Sequence, residues 1–501
     1  MGKRPIAVAG IILSMLLGGC GGGEKPTEEP LPSEPVSSPQ AVEFALPYYK
    51  GASLHPILGE NRTNLNLVGL VYEGLFSLDN TFTPHEVLVR NWTVDESGLV
   101  YTFELKDTRF SDGSALTAAE AAASLELARN STLYKNRLSD VEGIRAEGNT
   151  LTLTLSRPNT GLPALLDIPI IKEQEGQHPL GTGRYSLAQE GEDFFLKRQG
   201  APGEGVPDAI PLRAVQDADG LIHAFDTREV GLVTTDLTGS DTLGFSSGYE
   251  VWEYPTTDLL YLGFQTGEGF CADAALRQAI GCMVDRASVV TALYARHAQE
   301  AALPVHPANS GYDRTAADTL TYSPQKAAEL LTRAGYTRRE ERLYYRGRQV
   351  KLELLVNADN AFRTATADFL AEELEKLGIA VTVSKLSWSE FTARLTAGTF
   401  DIYLAEVLMT ADFDPESLVG SAGSLNFGKW NDPETDALLS ALRSGESGAR
   451  RQFYDLLGRQ SPIVPICFKN HTALTQWGRV EGLTPTRADP FAGESWRLAA
   501  G

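Results

Sequence analysis

The sequence predicts an α/β protein built as two lobes, and two observations carry that prediction. From Gln349 to Leu408 the chain alternates strand-like and helix-like runs with short connections, the pattern of parallel strands joined by right-handed crossovers. Beyond its N-terminal stretch it continues for about 460 residues, whereas single hydrophobic cores stop growing near ~250–300 residues.

The N-terminus opens with Lys3 and Arg4, followed by an apolar run from Ile6 to Leu17. That run is shorter than the ~20 apolar residues a spanning helix needs, so residues 1–19 are expected to be a signal peptide. Leu17-Gly18-Gly19-Cys20 resembles a lipobox, which makes Cys20 the expected lipid anchor and first mature residue. Residues 20–40 are rich in Pro, Glu and Ser and nearly devoid of apolar side chains, the composition of a disordered tether.

The formal net charge is -21, which excludes nucleic acid as a partner because phosphate binding relies on Lys and Arg. The seven histidines include no i, i+4 helical pair, and His297 with His306 is a poor ligand set, so neither a metal nor a cofactor is expected. With Cys20 assigned to the anchor, Cys271, Cys282 and Cys467 remain, an odd count that cannot be fully paired. Cys282 and Cys467 read as small buried hydrophobes, a bridge from Cys467 being the alternative.

Val100 to Leu105 and Leu151 to Leu155 alternate apolar and polar residues as half-buried strands do. Thr117 and Glu120 form a capping box that opens a helix through Arg129. A helix is expected over Asp273 to Arg286, in which Arg277 and Asp285 serve ion pairing or capping. The second half then reads as strand Gln349–Val356, helix Ala361–Leu377 and strand Ile379–Leu386. A second capping box at Ser387 and Glu390 opens a helix that stops at Gly398, and strand Asp401–Leu408 follows. In such sheets ligands gather beyond the carboxyl ends of the strands. Asn357–Asn360, Ser387–Trp388 and Met409–Asp414 should therefore share one rim of a cleft.

Three motifs then carry a resemblance. They are Leu70-Val71-Tyr72-Glu73-Gly74-Leu75 with Asp79, the strand Ser97-Gly98-Leu99-Val100-Tyr101-Thr102-Phe103, and Phe110-Ser111-Asp112-Gly113 leading to Thr117-Ala118 and Glu120. In that order they resemble the signature of the peptide/nickel family of ABC-transporter substrate-binding proteins. Gly181-Thr182-Gly183-Arg184-Tyr185 and Asp258–Gln265 resemble two further landmarks, a re-entry turn and a crossover strand. The resemblance implies a periplasmic-binding-protein-like fold (type II, cluster C-like) with an extra inserted subdomain. Residues 41–50, 180–257 and 470–501 would form lobe I, 51–179 the insertion and 258–469 lobe II. Hinges would lie near Asp258–Phe264 and Ile466–Lys469.

The resemblance also implies ligand contacts. Asp412 would hold a ligand ammonium, with Asp414 second in line, and the strand edge Glu406, Val407, Leu408 and Met409 would pair with a peptide backbone. Trp388 would line the cleft, Tyr48 or Tyr49 would reach it from the first strand, and Asn426 would approach it. Backbone pairing suits a ligand whose constant features are its main chain and ends. Leu355 to Asn360 lacks the arginine that dipeptide-specific members use for the ligand carboxylate, which favours longer peptides. The implied partners are a peptide, an ABC permease with its ATPase, and the membrane through Cys20; the protein would be an extracytoplasmic, non-enzymatic monomer. The open alternatives are a nickel chelate or another small amine in the same cleft, a sensory role, and a secreted hydrolase using Gly244-Phe245-Ser246-Ser247-Gly248. A nucleophile elbow needs a helix after the serine, and Tyr249 to Tyr254 alternates like a strand.

Overall fold

A computed structural model describes residues 44–499 apart from 202, 241, 242 and 494. The expected signal peptide, Cys20 anchor and tether fall outside the described residues. No helix among the described residues is long and apolar enough to cross a membrane.

Strands Leu46–Tyr49, Ala209–Val215, Asp193–Arg198 and Tyr185–Glu190 form one four-stranded sheet, the first pair parallel and the rest antiparallel. A second, fully antiparallel sheet has the order Val89–Val94, Val100–Leu105, Thr150–Leu155, Val141–Glu147. Its alternating residues Tyr101, Phe103, Leu105, Leu151, Leu153 and Leu155 are buried, as the period-2 pattern requires. Helix Ala118–Arg129 starts at the capping box of Thr117 and Glu120.

The largest sheet has the order Leu232–Thr235, Ile463–Gln476, Tyr249–Phe264, Ile402–Leu408, Lys351–Asn357, Ala380–Leu386, with Ala298–Glu300 added alongside Ile463–Gln476. Lys351–Asn357 runs parallel to both of its neighbours, and helices Ala361–Glu375 and Trp388–Ala397 make the crossovers. Ser387 and Glu390 form the expected capping box, and Gly398 ends the helix at φ 72°. Glycine carries no Cβ penalty in that left-handed conformation.

At the sheet centre Tyr249–Phe264 pairs antiparallel with Ile463–Gln476, and the register breaks between Pro255 and Leu259. Proline cannot donate to a ladder, so Pro255 suits an interruption. These two long strands join two separate apolar cores. Ala473 and Leu474 pack with residues of the N-terminal half, whereas Ile463 to Phe468 and Leu259 to Phe264 pack with residues of the 271–457 region.

One predicted helix is shorter than expected. Ala274–Cys282 ends before Arg286, because Asp285 accepts the Ser288 backbone N–H and starts a new turn. Arg277 is a capping residue with no carboxylate partner among the described residues: its buried guanidinium donates to the carbonyls of Cys271, Ala272, Gln460 and Ser461. Cys271, Cys282 and Cys467 are buried free thiols, so the alternative of a Cys467 bridge is not realised.

Candidate functional site

A cavity of about 990 Å³ opens in the N-terminal core region, and its lining residues all fall within 62–254 and 471–493. The hairpin loop Leu78–Thr81, the Leu133–Arg137 turn, the Thr484–Gly493 segment, Tyr254 and His471 contribute to its wall. Four arginines line it, and they are not equally neutralised. Arg184 pairs with Asp489 at 2.5 Å. Arg137 and Arg487 share the single carboxylate of Asp167, at 2.5 and 3.1 Å. Arg62 makes no ion pair among the described residues and donates instead to the His471 ring.

His471 links this cavity to the centre of the molecule. Its Nε2 lies 3.0 Å from Asp258, so Nε2–H donates there while Nδ1 accepts from Arg62. Burial raises the Asp258 carboxyl, but the His471 hydrogen bond and the nearby charges of Lys469 and Arg62 outweigh it and hold it below its usual value. Two residues back, Lys469 is 1 % exposed. Its ammonium donates to Asp236, just past the edge strand Leu232–Thr235, at 2.5 Å and to Glu406 of Ile402–Leu408 at 3.0 Å. A buried ion survives only with such partners.

The two core regions also meet along a seam on the far side of the hairpin Phe76–Leu78 and Pro84–Glu86. Phe82, with φ 62° and 3 % exposure, inserts among His306, Phe413 and Phe468. In that hydrophobic cluster it is the one buried residue contributed from outside 259–468. Burial lowers His306 to about 4, so its ring is a neutral aromatic wall. Beside it Leu78, Ala164 and Ala411 pack together, Arg157 pairs with Glu416 at 2.6 Å, and Asn309 Nδ2 donates to the Thr81 carbonyl at 3.1 Å.

Asp412 lies on this seam rather than on the cavity wall. Its Oδ1 accepts from Thr410 Oγ1 at 2.6 Å, and its Oδ2 accepts from Asn159 Nδ2 at 3.2 Å across the seam. It has no cationic partner among the described residues, unlike Asp414, which pairs with Arg443 at 3.1 Å. Glu406 is taken up by Lys469 and, at 3.6 Å, by Arg363, leaving Oε2 without a hydrogen bond. Val407 is half-buried and Leu408 is 65 % exposed, while Met409 is buried with its backbone held by Thr257. Trp388, 61 % exposed, leans on Phe391 of its own helix.

Tyr48 is buried against Phe194, and Tyr49 packs beside the cluster of Val215, Leu221 and Phe225; neither lines the cavity. Asn426 staples its own loop, donating to the carbonyls of Gly420 and Trp430. The residues that sequence reasoning missed are Arg62, Arg137, Arg487 and Phe82. Each is isolated in an irregular or short element, with no periodicity to single it out. The serine of the Gly-x-Ser-x-Gly stretch is followed by strand Tyr249–Phe264, and Ser246 Oγ donates to Asp226. No metal-binding cluster occurs among the described residues.

Two apolar core regions joined by a pair of long strands, with a cavity beside them, form a two-lobed α/β architecture. The profile of the bacterial extracellular solute-binding proteins, family 5 Middle, matches residues 83–428, and the chain belongs to that family. It is a substrate-binding protein of the ABC-transporter class with the two-lobed α/β fold that the sequence predicts. The glutathione-binding protein GsiB of Salmonella typhi is 24% identical over 437 residues, covering 79% of this chain and 82% of the relative. Among solved structures, NikZ from Campylobacter jejuni in complex with Ni(L-His) superposes with TM-score 0.63 at 18% identity, covering 91% of this chain and 99% of its own. The oligopeptide-binding protein AppA from Bacillus subtilis, in complex with a nonapeptide, gives TM-score 0.60 at 19% identity and the same coverage.

Proposed function

We propose that this protein captures a peptide longer than a dipeptide between two closing lobes, outside the cytoplasmic membrane, and delivers it to an ABC permease and its ATPase. Lobe I comprises 41–50, 180–257 and 470–501, with 51–179 inserted, and lobe II comprises 258–469. Closure turns about the paired strands where their register breaks beside Pro255. Lipid on Cys20 holds the protein at the membrane, where it works as a monomer without covalent chemistry.

The observation that carries this reading is a half-buried carboxylate, Asp412, left without a cation among the described residues on the seam between the two core regions. The cavity of about 990 Å³ in the N-terminal core region is a separate concavity, at the upper end of the roughly 300–1,000 Å³ that small-ligand sites span. A carboxylate enclosed by closing lobes is costly unless paired, and a peptide's free ammonium supplies a charge-assisted hydrogen bond of about 1.5–3 kcal/mol. On opening, the Asn159 link to Asp412 is released and the acid becomes available. The test compares Asp412→Ala with the parent protein for free-amine and N-acetylated peptides. Binding of free-amine peptides should fall at least about ten-fold while that of acetylated ones stays unchanged, and equal losses for both would refute the ammonium role. The arginine-lined wall also suits the carboxylates of a metal chelate, the second reading, which identification of the bound solute distinguishes.

A further inference from the structure

In a chain of net charge -21, residues 337–351 run the other way, with Arg338, Arg339, Arg342, Arg346, Arg348 and Lys351 against Glu340 and Glu341. They fold into a small antiparallel sheet of Thr337–Arg339, Arg342–Tyr345 and Arg348–Gln349. Its turns, Glu340-Glu341 at φ 46° and 64° and Arg346-Gly347 at φ 48° and 80°, have the left-handed backbone that two-residue hairpins need. Side chains alternate between the two faces. Leu343 lies in the apolar core and Tyr345 packs against it, so Arg338 and Arg348, their cross-strand partners, share the inner face. Arg342, Arg339 directly opposite it, and Tyr344 occupy the outer face. Like charges placed directly opposite destabilise a hairpin, so this exposed pair does not serve the fold. The nearby acids do not neutralise it. Glu341 pairs with Arg338, Glu329 with Arg333 and Glu373 with Lys376. Glu268 and Glu375 belong to segments packed on the inner face, through Arg348 over the Phe270 ring and Arg338 on the Lys376 carbonyl. Glu340 is the acid beside the outer face, and Arg339, Arg342 and Arg346 make no ion pair among the described residues.

We propose that the outer face of this sheet docks on an anionic phospholipid surface, with Arg339, Arg342 and Arg346 on the lipid phosphates. Arg339 lies over the Tyr344 ring at 5.6 Å and Arg346 over the Tyr345 ring at 5.1 Å. Stacking occupies the flat face of a guanidinium and leaves its N–H edge for phosphate oxygens, a geometry that lysine lacks. Tyr344, half-buried, adds an amphipathic ring of the kind enriched at membrane interfaces. The proposal rests on the membrane-anchored reading, which favours a bilayer over a soluble polyanion. A linker of about 20 residues between Cys20 and Phe44 extends to roughly 70 Å at most, so the bilayer is always within reach at a high effective concentration. An acidic protein beside an anionic bilayer is repelled overall, and its basic face determines which side approaches.

The test reconstitutes the full-length protein with vesicles of phosphatidylcholine alone or of phosphatidylcholine with phosphatidylglycerol. Flotation reads retention, and phenylglyoxal labelling with mass spectrometry reads the reactivity of each arginine. Arg339, Arg342 and Arg346 should react at least about ten-fold more slowly on the phosphatidylglycerol vesicles, and high salt should restore their reactivity. Arg145 and Arg228, exposed on other elements, should react equally on both. In the double variant Arg339→Gln/Arg342→Gln, Arg346 should regain its reactivity while Tm stays level or rises, because the like-charge pair is gone. A sharp fall in Tm shows that the two arginines are structural and overturns the proposal. Retention on phosphatidylcholine with equal arginine reactivity on both vesicles overturns it and leaves the anchor intact. Protection on phosphatidylglycerol without retention on phosphatidylcholine overturns the anchor and leaves the docking face. Protection by soluble polyphosphate but by neither vesicle, or by raising the protein concentration without lipid, also overturns the membrane partner.

Discussion

Phe82→Ala tests whether the seam is a closing surface or a fixed part of the core. Phe82 belongs to a hairpin loop of the N-terminal region, yet its ring lies 5.0 Å from His306 and 5.0 Å from Phe413, both of the other core region. Truncation forfeits about 1.5–3 kcal/mol of apolar burial and about 0.5–1.5 kcal/mol for each aromatic contact. Phe-to-Ala changes in cores cost ~3–5 kcal/mol in total. Since the ring and its box lie on different sides of the seam, the loss falls on their association and leaves the interior of each core untouched. At 1.4 kcal/mol per ten-fold, about 3 kcal/mol moves the closed–open equilibrium by roughly a hundred-fold. The variant should bind solute about 10–100-fold more weakly, expand in small-angle scattering without solute, and keep most of its thermal stability. Unchanged affinity and dimensions with a sharply lower Tm would show that Phe82 is a static core residue and would refute the reasoning.

Lys469→Met leaves Asp236 and Glu406 facing each other without their shared ammonium, and breaking a buried pair typically costs ~3–5 kcal/mol; calorimetry should show a large fall in Tm, and a fall under about 1 °C would count against the network. The same variant tests pH dependence: burial raises Asp236, but the Lys469 ammonium outweighs it and holds it below its usual 3.8. A depressed carboxyl contributes stability that is present above the unfolded value and lost as pH falls through the folded value. Parent Tm should therefore decline below about pH 4, and Lys469→Met should flatten that part of the decline. Thiol titration tests both burial and the anchor, because burial pushes Cys467 up to about 12 and raises Cys271 and Cys282 too. The native protein from a bacterial membrane should react with no thiol reagent, and three thiols should appear on denaturation, Cys20 being blocked by lipid; a fourth would show that the anchor is not made.

The elements legible in the sequence are those specified by local chemistry. Thr117 with Glu120 and Ser387 with Glu390 satisfy helix N-termini from within four residues, so both boxes form where the sequence places them. The parallel strands between Lys351 and Leu408 follow from apolar runs and short crossovers. Strand Ile463–Gln476 is not legible as one element, because Lys469, Asn470 and His471 interrupt its apolar run. Lys469 and His471 are nonetheless buried, satisfied by Asp236, Glu406 and Asp258 from distant strands. The convergence of Arg62, Arg137 and Arg487 is equally tertiary: their sequence separations exceed any local period, and only the docking of the C-terminal segment brings them together. The rim at Asp412 to Asp414 was legible as a strand terminus, but that Asn159 of the inserted region would meet it was not.

Mass spectrometry of whatever solute co-purifies with the full-length protein, released by mild denaturation, tests the central claim most directly. Peptides longer than two residues with a free N-terminus are expected. Recovery of a nickel chelate, a non-peptide amine or N-blocked peptides in their place would contradict that claim.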